Sequence, residues 1–209
     1  MNLPEIHQRV RTYYTEKVTE FGPTPMGMDW NSQEGQLSRF DQLLKLPDRS
    51  KPFSLIDLGC GYGALLDYLK LAGDQVEYCG LDLSEAMIQE AKKLHRDQAG
   101  ARFELGVSTD RRADYVVASG IFNVKQHTSD EAWLEYILET IQQMASMSTR
   151  GFAFNLLTSY SDLDRQRPDL HYANPCWFFD YCKRIFSRHV SLLHDYGLYE
   201  FTILVRNEP

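Results

Sequence analysis

Residues 54–66 read SLIDLGCGYGALL: an apolar run, the carboxylate Asp57, glycines at 59, 61 and 63, then apolar residues at helical spacing. A strand that breaks into a glycine turn and restarts as a helix brings backbone close to a ligand, because glycine tolerates positive φ and adds no side chain at the contact. Gly59, Gly61 and Ala64 satisfy the dinucleotide spacing G-x-G-x-x-G/A. On this stretch alone, a pyrophosphate and a nucleoside without phosphate are both open.

The flanking sequence continues the alternation of strand and helix. Pro4 and Glu5 open a helix on which Ile6, Val10, Tyr14, Val18 and Phe21 recur, and Gly22-Pro23 stops it. PTPMGMDWN (23–31) reads as a loop. Asn31 with Glu34 forms a capping pattern for a second helix that buries Leu37, Phe40 and Leu44. After the strand Ser54–Leu58 comes a helix carrying Leu65, Leu66 and Leu69, closed by Gly73. Strand two is QVEYCGLDL, and Ser84 caps a helix with Met87, Ala91 and Leu94 on one face. Strands three and four are ARFELGV and DYVVASG. Thr128 and Glu131 form a capping pattern before a long helix that buries Leu134, Ile137, Ile141 and Met144. Strand five is GFAFNLLT, and Asn174-Pro175 starts a helix with Phe178, Phe179 and Cys182. Segments 189–195 and 198–206 flank the turn Asp195-Tyr196-Gly197 and read as a hairpin.

Repeated β-then-α units imply parallel strands with right-handed crossovers and helices on both faces, whereas the short final turn joins antiparallel neighbours. The expected architecture is α/β: a doubly wound, mostly parallel seven-stranded sheet with a C-terminal antiparallel hairpin. Residues 1–45 form an N-terminal helical cap or lid, and 46–209 a single globular unit. In such a sheet the ligand lies beyond the carboxyl ends of the strands, beside strand one.

Composition narrows the ligand. The 209 residues, 43% of them hydrophobic, suffice for one well-filled core and are too few for two ordinary domains. A net charge of -7 without a basic block argues against gripping a nucleic-acid backbone. Cys60, Cys79, Cys176 and Cys182 form no C-x-x-C pair, so reduced thiols and no metal are expected. The N-terminus lacks the apolar core of a signal peptide, and no apolar run is long enough to span a membrane. A cytoplasmic protein acting on a small molecule, without membrane or nucleic-acid partners, is the expectation.

Three features separate the two ligand readings. Asp57, two residues before the first glycine, would repel a pyrophosphate and suit a cationic ligand. Asp82 ends strand two, where an acid can hydrogen-bond both ribose hydroxyls. No segment after strand five is long enough for a separate hydride-acceptor domain. The balance favours a positively charged adenosyl ligand.

The segments SLIDLGCGYGALL, YCGLDLSEAMI and DYVVASGIFNV together resemble the successive motifs of class I S-adenosylmethionine-dependent methyltransferases, in order and spacing over residues 54–124. The hairpin-terminated layout extends the resemblance to residue 206, with a Rossmann-like fold. It implies that Gly59, Cys60 and Gly61 approach the amino-acid moiety of S-adenosylmethionine, with Asp57 ordering that end. Asp82 would hold the ribose, Leu83 and Met87 would line the adenine, and Val107 and Ser108 would meet its edge. Ser119, Gly120 and Ile121 would back the sulfonium. GVSTD puts Val107 and Ser108 where many members place an aspartate. Arg39 is a candidate partner of the cofactor carboxylate, and Tyr14 and Trp30 belong to the aromatic segment expected to close over the site.

Methyl transfer needs alignment, exclusion of water and in some cases a proton acceptor. Asn123, past strand four, is a candidate to orient the acceptor; the segment lacks the D/N-P-P-Y pattern of many nucleic-acid amino methyltransferases. Tyr160, in the loop SYSDLDRQRPDLHYANP (159–175), could present its ring to the sulfonium, a cation–π contact of about 0.5–2 kcal/mol. His127 and His171 are candidate bases. Tyr14, Tyr160 and Tyr172 are the candidate acceptor-binding side chains. Transfer to O or N of a small molecule is the leading reading. The alternatives are an enzyme that cyclises or cleaves S-adenosylmethionine itself and a non-catalytic adenosyl-nucleoside binding module.

Overall fold

The computed structural model describes residues 2–30 and 32–207. Seven strands form one sheet in the order β3-β2-β1-β4-β5-β8-β7. They are β1 (Phe53–Leu58), β2 (Val76–Asp82), β3 (Ala101–Leu105), β4 (Ala113–Ala118), β5 (Ser148–Thr158), β7 (His189–Leu193) and β8 (Glu200–Arg206). The two-residue strand β6 (Tyr172–Ala173), which the expected seven strands did not include, pairs parallel with β5 off this path. All pairs from β3 to β5 are parallel; β8 runs antiparallel to both β5 and β7. The order reverses between β1 and β4, so a crevice opens past their carboxyl ends.

The helices are α1 (Leu3–Phe21), α2 (Gln33–Leu43), α3 (Ala64–Leu71), α4 (Glu85–Leu94), α5 (Asp130–Met147) and α6 (Pro175–Ile185). β1 is apolar on both faces because each face meets a core. Ile56 and Leu58 pack with Ile137 and Ile141 of α5 and with Ile6 of α1. Leu55 packs with Phe40 and Leu43 of α2 and Leu65 and Leu69 of α3. Thus α2 is built into one core, and α1 adds Ile6 to the other while lying across α4 and α5: Thr15 Oγ1 meets Ser84 Oγ at 2.8 Å, and the His7 ring sits edge-on to Tyr136.

Local starts and stops follow the sequence with informative exceptions. Asn2 and Glu5 form a reciprocal capping box on α1, and Gly22 at φ 66 ends it. Asn31 lies outside the described residues; Ser32 caps α2, its Oγ accepting the Gly35 N–H at 3.1 Å. Ser129 rather than Thr128 caps α5, because the chain is still extended at Ser129 (ψ 154) and its Oγ accepts from Ala132. Leu37 is exposed because the buried row of α2 runs Gln36, Phe40, Leu43, one residue round the helix. Leu94 is half exposed because His95 takes the buried position that ends α4. Leu134 and Phe179 are only partly buried, beside Trp133 and Phe178, which are enclosed.

Candidate active site

The turn after β1 is fixed by the end of β2. The N–H groups of Gly59 and Cys60 donate to the Leu81 carbonyl at 2.8 and 3.0 Å. Gly61 N–H donates to Asp82 Oδ2 at 2.9 Å, and Ser84 N–H to Asp82 Oδ1 at 2.8 Å. One carboxylate therefore spans the glycine turn and the start of α4. Burial raises the Asp82 pKa, and the backbone N–H groups of Ser84, Gly61 and Leu83 oppose that rise. Gly59 and Gly61 have φ of 76° and 54°. A Cβ at Gly59 would overlap Ile121, and one at Gly61 would overlap the Met28 thioether.

Above this turn lies a largely apolar cavity. Leu58 and Gly59 form its floor, and Asp82, Leu83 and Met87 one side. Val107, Ser119 and Ile121 come from the loops after β3 and β4, and Tyr136 and Thr140 from α5. Val10, Tyr14, Met28 and Trp30 close the top. Most of these surfaces are apolar, and Ser119 Oγ is buried with no hydrogen-bond partner. An orphaned hydroxyl in an apolar cavity is what a polar ligand atom satisfies.

A second cavity shares the wall made by Tyr14, Met28 and Trp30. Its inner end is a polar network around Glu200, which is 1% exposed. Arg39 Nε and Nη2 donate to the Glu200 carboxylate at 2.9 and 2.6 Å, and the Asn123 amide donates to it at 3.2 Å. The Asn155 amide donates to its other oxygen, and Asn155 Oδ1 accepts the Gly120 N–H at 2.8 Å. Toward the mouth, Asp29 accepts from Tyr13 Oη at 2.8 Å and pairs with Lys17 at 2.7 Å.

Twelve of the sequence-predicted residues line one or both of these cavities: Tyr14, Trp30, Gly59, Asp82, Leu83, Met87, Val107, Ser119, Ile121 and, in the second, Arg39, Gly120 and Asn123. The others are placed differently. Asp57 faces the opposite core, 3% exposed, with Tyr78 Oη 2.5 Å from its carboxylate. The Cys60 side chain packs against Gly80, and Gly61 meets Met28. Ser108 is exposed, so only Val107 of that pair reaches the ligand cavity. Arg39 and Asn123 line the second cavity, but the first is held by Glu200. The carbonyl of Asn123, expected to orient an acceptor, instead accepts the Leu157 N–H at 3.2 Å.

Tyr160 is 68% exposed and leans on His194, and His127 is also exposed; neither lines either cavity. His171 turns toward Asp130, and burial lowers its pKa. Tyr172 Oη accepts from Arg167 N–H and borders a shallow depression that shares Arg167 and Leu170 with the second cavity. The chain turns back after β5 to form β6, and this loop puts Arg167 and Leu170, not Tyr160 or Tyr172, on the wall of the second cavity. Sequence reasoning missed Glu200, Asn155, Tyr136, Thr140 and Met28. The one readable signal was an acid, Glu200, opening a strand whose next five residues are buried. Among the described residues, no group of three His, Cys, Asp or Glu side chains is placed to hold a metal. No described helix is long and apolar enough to cross a membrane.

Residues 56–149 match the family described as "Methyltransferase domain". The chain is 52% identical over 163 residues to a Mycobacterium tuberculosis protein named "Putative methyltransferase Rv1506c", a match covering 78% of this chain and 98% of the relative. Among solved structures, the N-methyltransferase NodS of Bradyrhizobium japonicum in complex with S-adenosylhomocysteine superposes with a TM-score of 0.65 at 15% identity, covering 96% of this chain and 99% of that one. The DhpI–S-adenosylhomocysteine complex superposes with a TM-score of 0.64 at 16% identity, covering 98% of both chains. At these identities the structural likeness is one of fold.

Proposed function

Given that the chain belongs to the class I S-adenosylmethionine-dependent methyltransferases, we propose that it binds S-adenosylmethionine in the first cavity and methylates O or N of a small molecule held in the second. The observation that carries this reading is the pair of cavities meeting at Tyr14, Met28 and Trp30. A group-transfer site needs two ligands in contact, whereas an enzyme that cleaves its cofactor alone needs one; the second cavity therefore favours transfer.

Three observations support the fit of the first cavity to that cofactor. Gly59 reaches the cavity with bare backbone, Asp82 lines it beside its backbone donors, and Ser119 Oγ awaits a partner. When bound, S-adenosylmethionine supplies a methyl group already activated by its sulfonium. The chain's own part is to orient and to exclude water. Of the residues that line this cavity, Leu83, Met87 and Val107 would flank the base, Gly59 would approach the amino-acid portion, and Ile121 and Ser119 would stand behind the reacting end. Residues 3–30 act as the cover, with Tyr14 and Trp30 on its inner surface, and α2 anchors that cover to the core. The net charge of -7 supports a small acceptor over a nucleic acid.

Incubation with methyl-labelled S-adenosylmethionine and a panel of small alcohols, acids and amines, read by mass spectrometry, tests this. A labelled acceptor and S-adenosylhomocysteine are expected. Methylthioadenosine formed without any acceptor would replace this reading with self-cleavage, and no turnover despite binding would leave a binding module.

A further inference from the structure

Glu200 is a buried carboxylate far in sequence from the cofactor motifs, yet every donor around it leads to the wall between the two cavities. Through Arg39 it reaches the cover, because the Arg39 guanidinium carbon stacks 4.1 Å from the Trp30 ring centre. Arg39 Nη1 also donates to the Gly35 carbonyl at 2.7 Å, which fixes its position on α2. Through Asn155 it reaches the loop after β4, because Asn155 Oδ1 holds the Gly120 N–H. The two branches then meet. Gly120, at φ 73°, lies so close under the Trp30 ring that a Cβ there would overlap it. Asn123 adds a third donor from the same loop.

We propose that Glu200 is a positioning residue that fixes Trp30 over Gly120, so that the cover and the loop after β4 close the reacting end of the site as one unit. The proposal rests on the cofactor reading above for its purpose, but its geometry belongs to this chain alone. A bidentate carboxylate–guanidinium pair holds a plane as well as a distance, and Trp30 stacks on that plane. Gln42 and Leu43 would anchor α2 without any of this; the ion pair adds orientation at a ring that both cavities touch.

The test is the double variant Arg39→Met/Glu200→Gln, which keeps unbranched aliphatic and amide side chains of similar volume and leaves no charge buried alone. In the ligand-free protein the amides of Met28, Asp29, Trp30 and Gly120 should exchange at least about tenfold faster than in the wild type, and S-adenosylhomocysteine should bind at least about tenfold more weakly by calorimetry. A folded double variant with unchanged exchange at these amides overturns the proposal, since a pair that merely ties α2 to β8 would lower the melting temperature alone. If the wild type binds no S-adenosylhomocysteine, the cofactor reading fails, and the exchange comparison still decides the role of Glu200. Should the double variant not fold, Trp30→Leu leaves the ion pair in place and decides instead: faster exchange at Gly120 supports the relay, and unchanged exchange there overturns it.

Discussion

The Tyr78 hydroxyl lies 2.5 Å from the Asp57 carboxylate, enclosed in the sheet two residues before the glycine turn. Burial pushes Asp57 up to about 7, the charge of Asp82 adds to that rise, and the bond from Tyr78 opposes it. The folded pKa therefore exceeds the unfolded value of about 3.9. The proton taken up on folding stabilises the native state fully below the unfolded pKa, and that contribution is lost as pH rises through about 7. Asp57→Asn, neutral at every pH, should gain melting temperature relative to wild type on going from about pH 5 to about pH 8. Thermal unfolding of both proteins at both pH values is the check, and a difference independent of pH would mean that Asp57 is ionised throughout.

Asp82→Asn should weaken S-adenosylhomocysteine binding by on the order of 2 kcal/mol, because an amide replaces one acceptor oxygen with a donor. The same change sets an NH₂ group against either Gly61 N–H or Ser84 N–H, so stability should fall as well. Calorimetry below the variant's melting transition separates the two effects. An unchanged dissociation constant alongside a lower melting temperature would assign Asp82 to the turn alone.

Sequence pattern made the sheet legible because its central strands β1 and β4 are buried on both faces and run into glycine turns. The cofactor side of the site was legible for the same reason: Gly59, Asp82 and Met87 sit at fixed offsets from strand ends. The acceptor side was not. Tyr160 and His127 are the residue types expected of a site, but nothing in a loop sequence tells which of its side chains turn inward, and the 159–175 loop presents Arg167 and Leu170 to the second cavity. Glu200 and Asn155 face each other only because β8 inserts between β5 and β7, a pairing across 45 residues that no local period encodes. Arg39 was seen as a cofactor partner because its true partner lies 161 residues away.

Gly61→Ala tests how tightly the cover sits. The substitution carries two penalties: a positive φ for an alanine, of about 1–2 kcal/mol, and overlap with the Met28 side chain. Met28→Ala in the same chain should remove the second and leave the first. Denaturant unfolding of the two single variants and the double is therefore expected to give a coupling of roughly 0.5–3 kcal/mol in the favourable direction. Strict additivity would show that Met28 moves aside at no cost and that the cover is loose at this point.

Tyr14 stands in the wall shared by both cavities, whereas Tyr160 touches neither. Burial, with the charges of Asp29 and Asp82 nearby, holds the Tyr14 phenol well above its ordinary pKa, so it remains neutral across the working range. A neutral hydroxyl there can align an acceptor but cannot remove its proton. Tyr14→Phe should accordingly lower kcat/KM by about tenfold, roughly 1.4 kcal/mol, while leaving the shape of the pH–rate profile unchanged. Tyr160→Phe should change kcat/KM by less than about twofold, as expected of an exposed ring. Steady-state kinetics on whichever acceptor the labelling experiment identifies will compare them. A larger loss at Tyr160 than at Tyr14 would mean that the acceptor enters under the 159–171 loop and not across the wall of Tyr14, Met28 and Trp30.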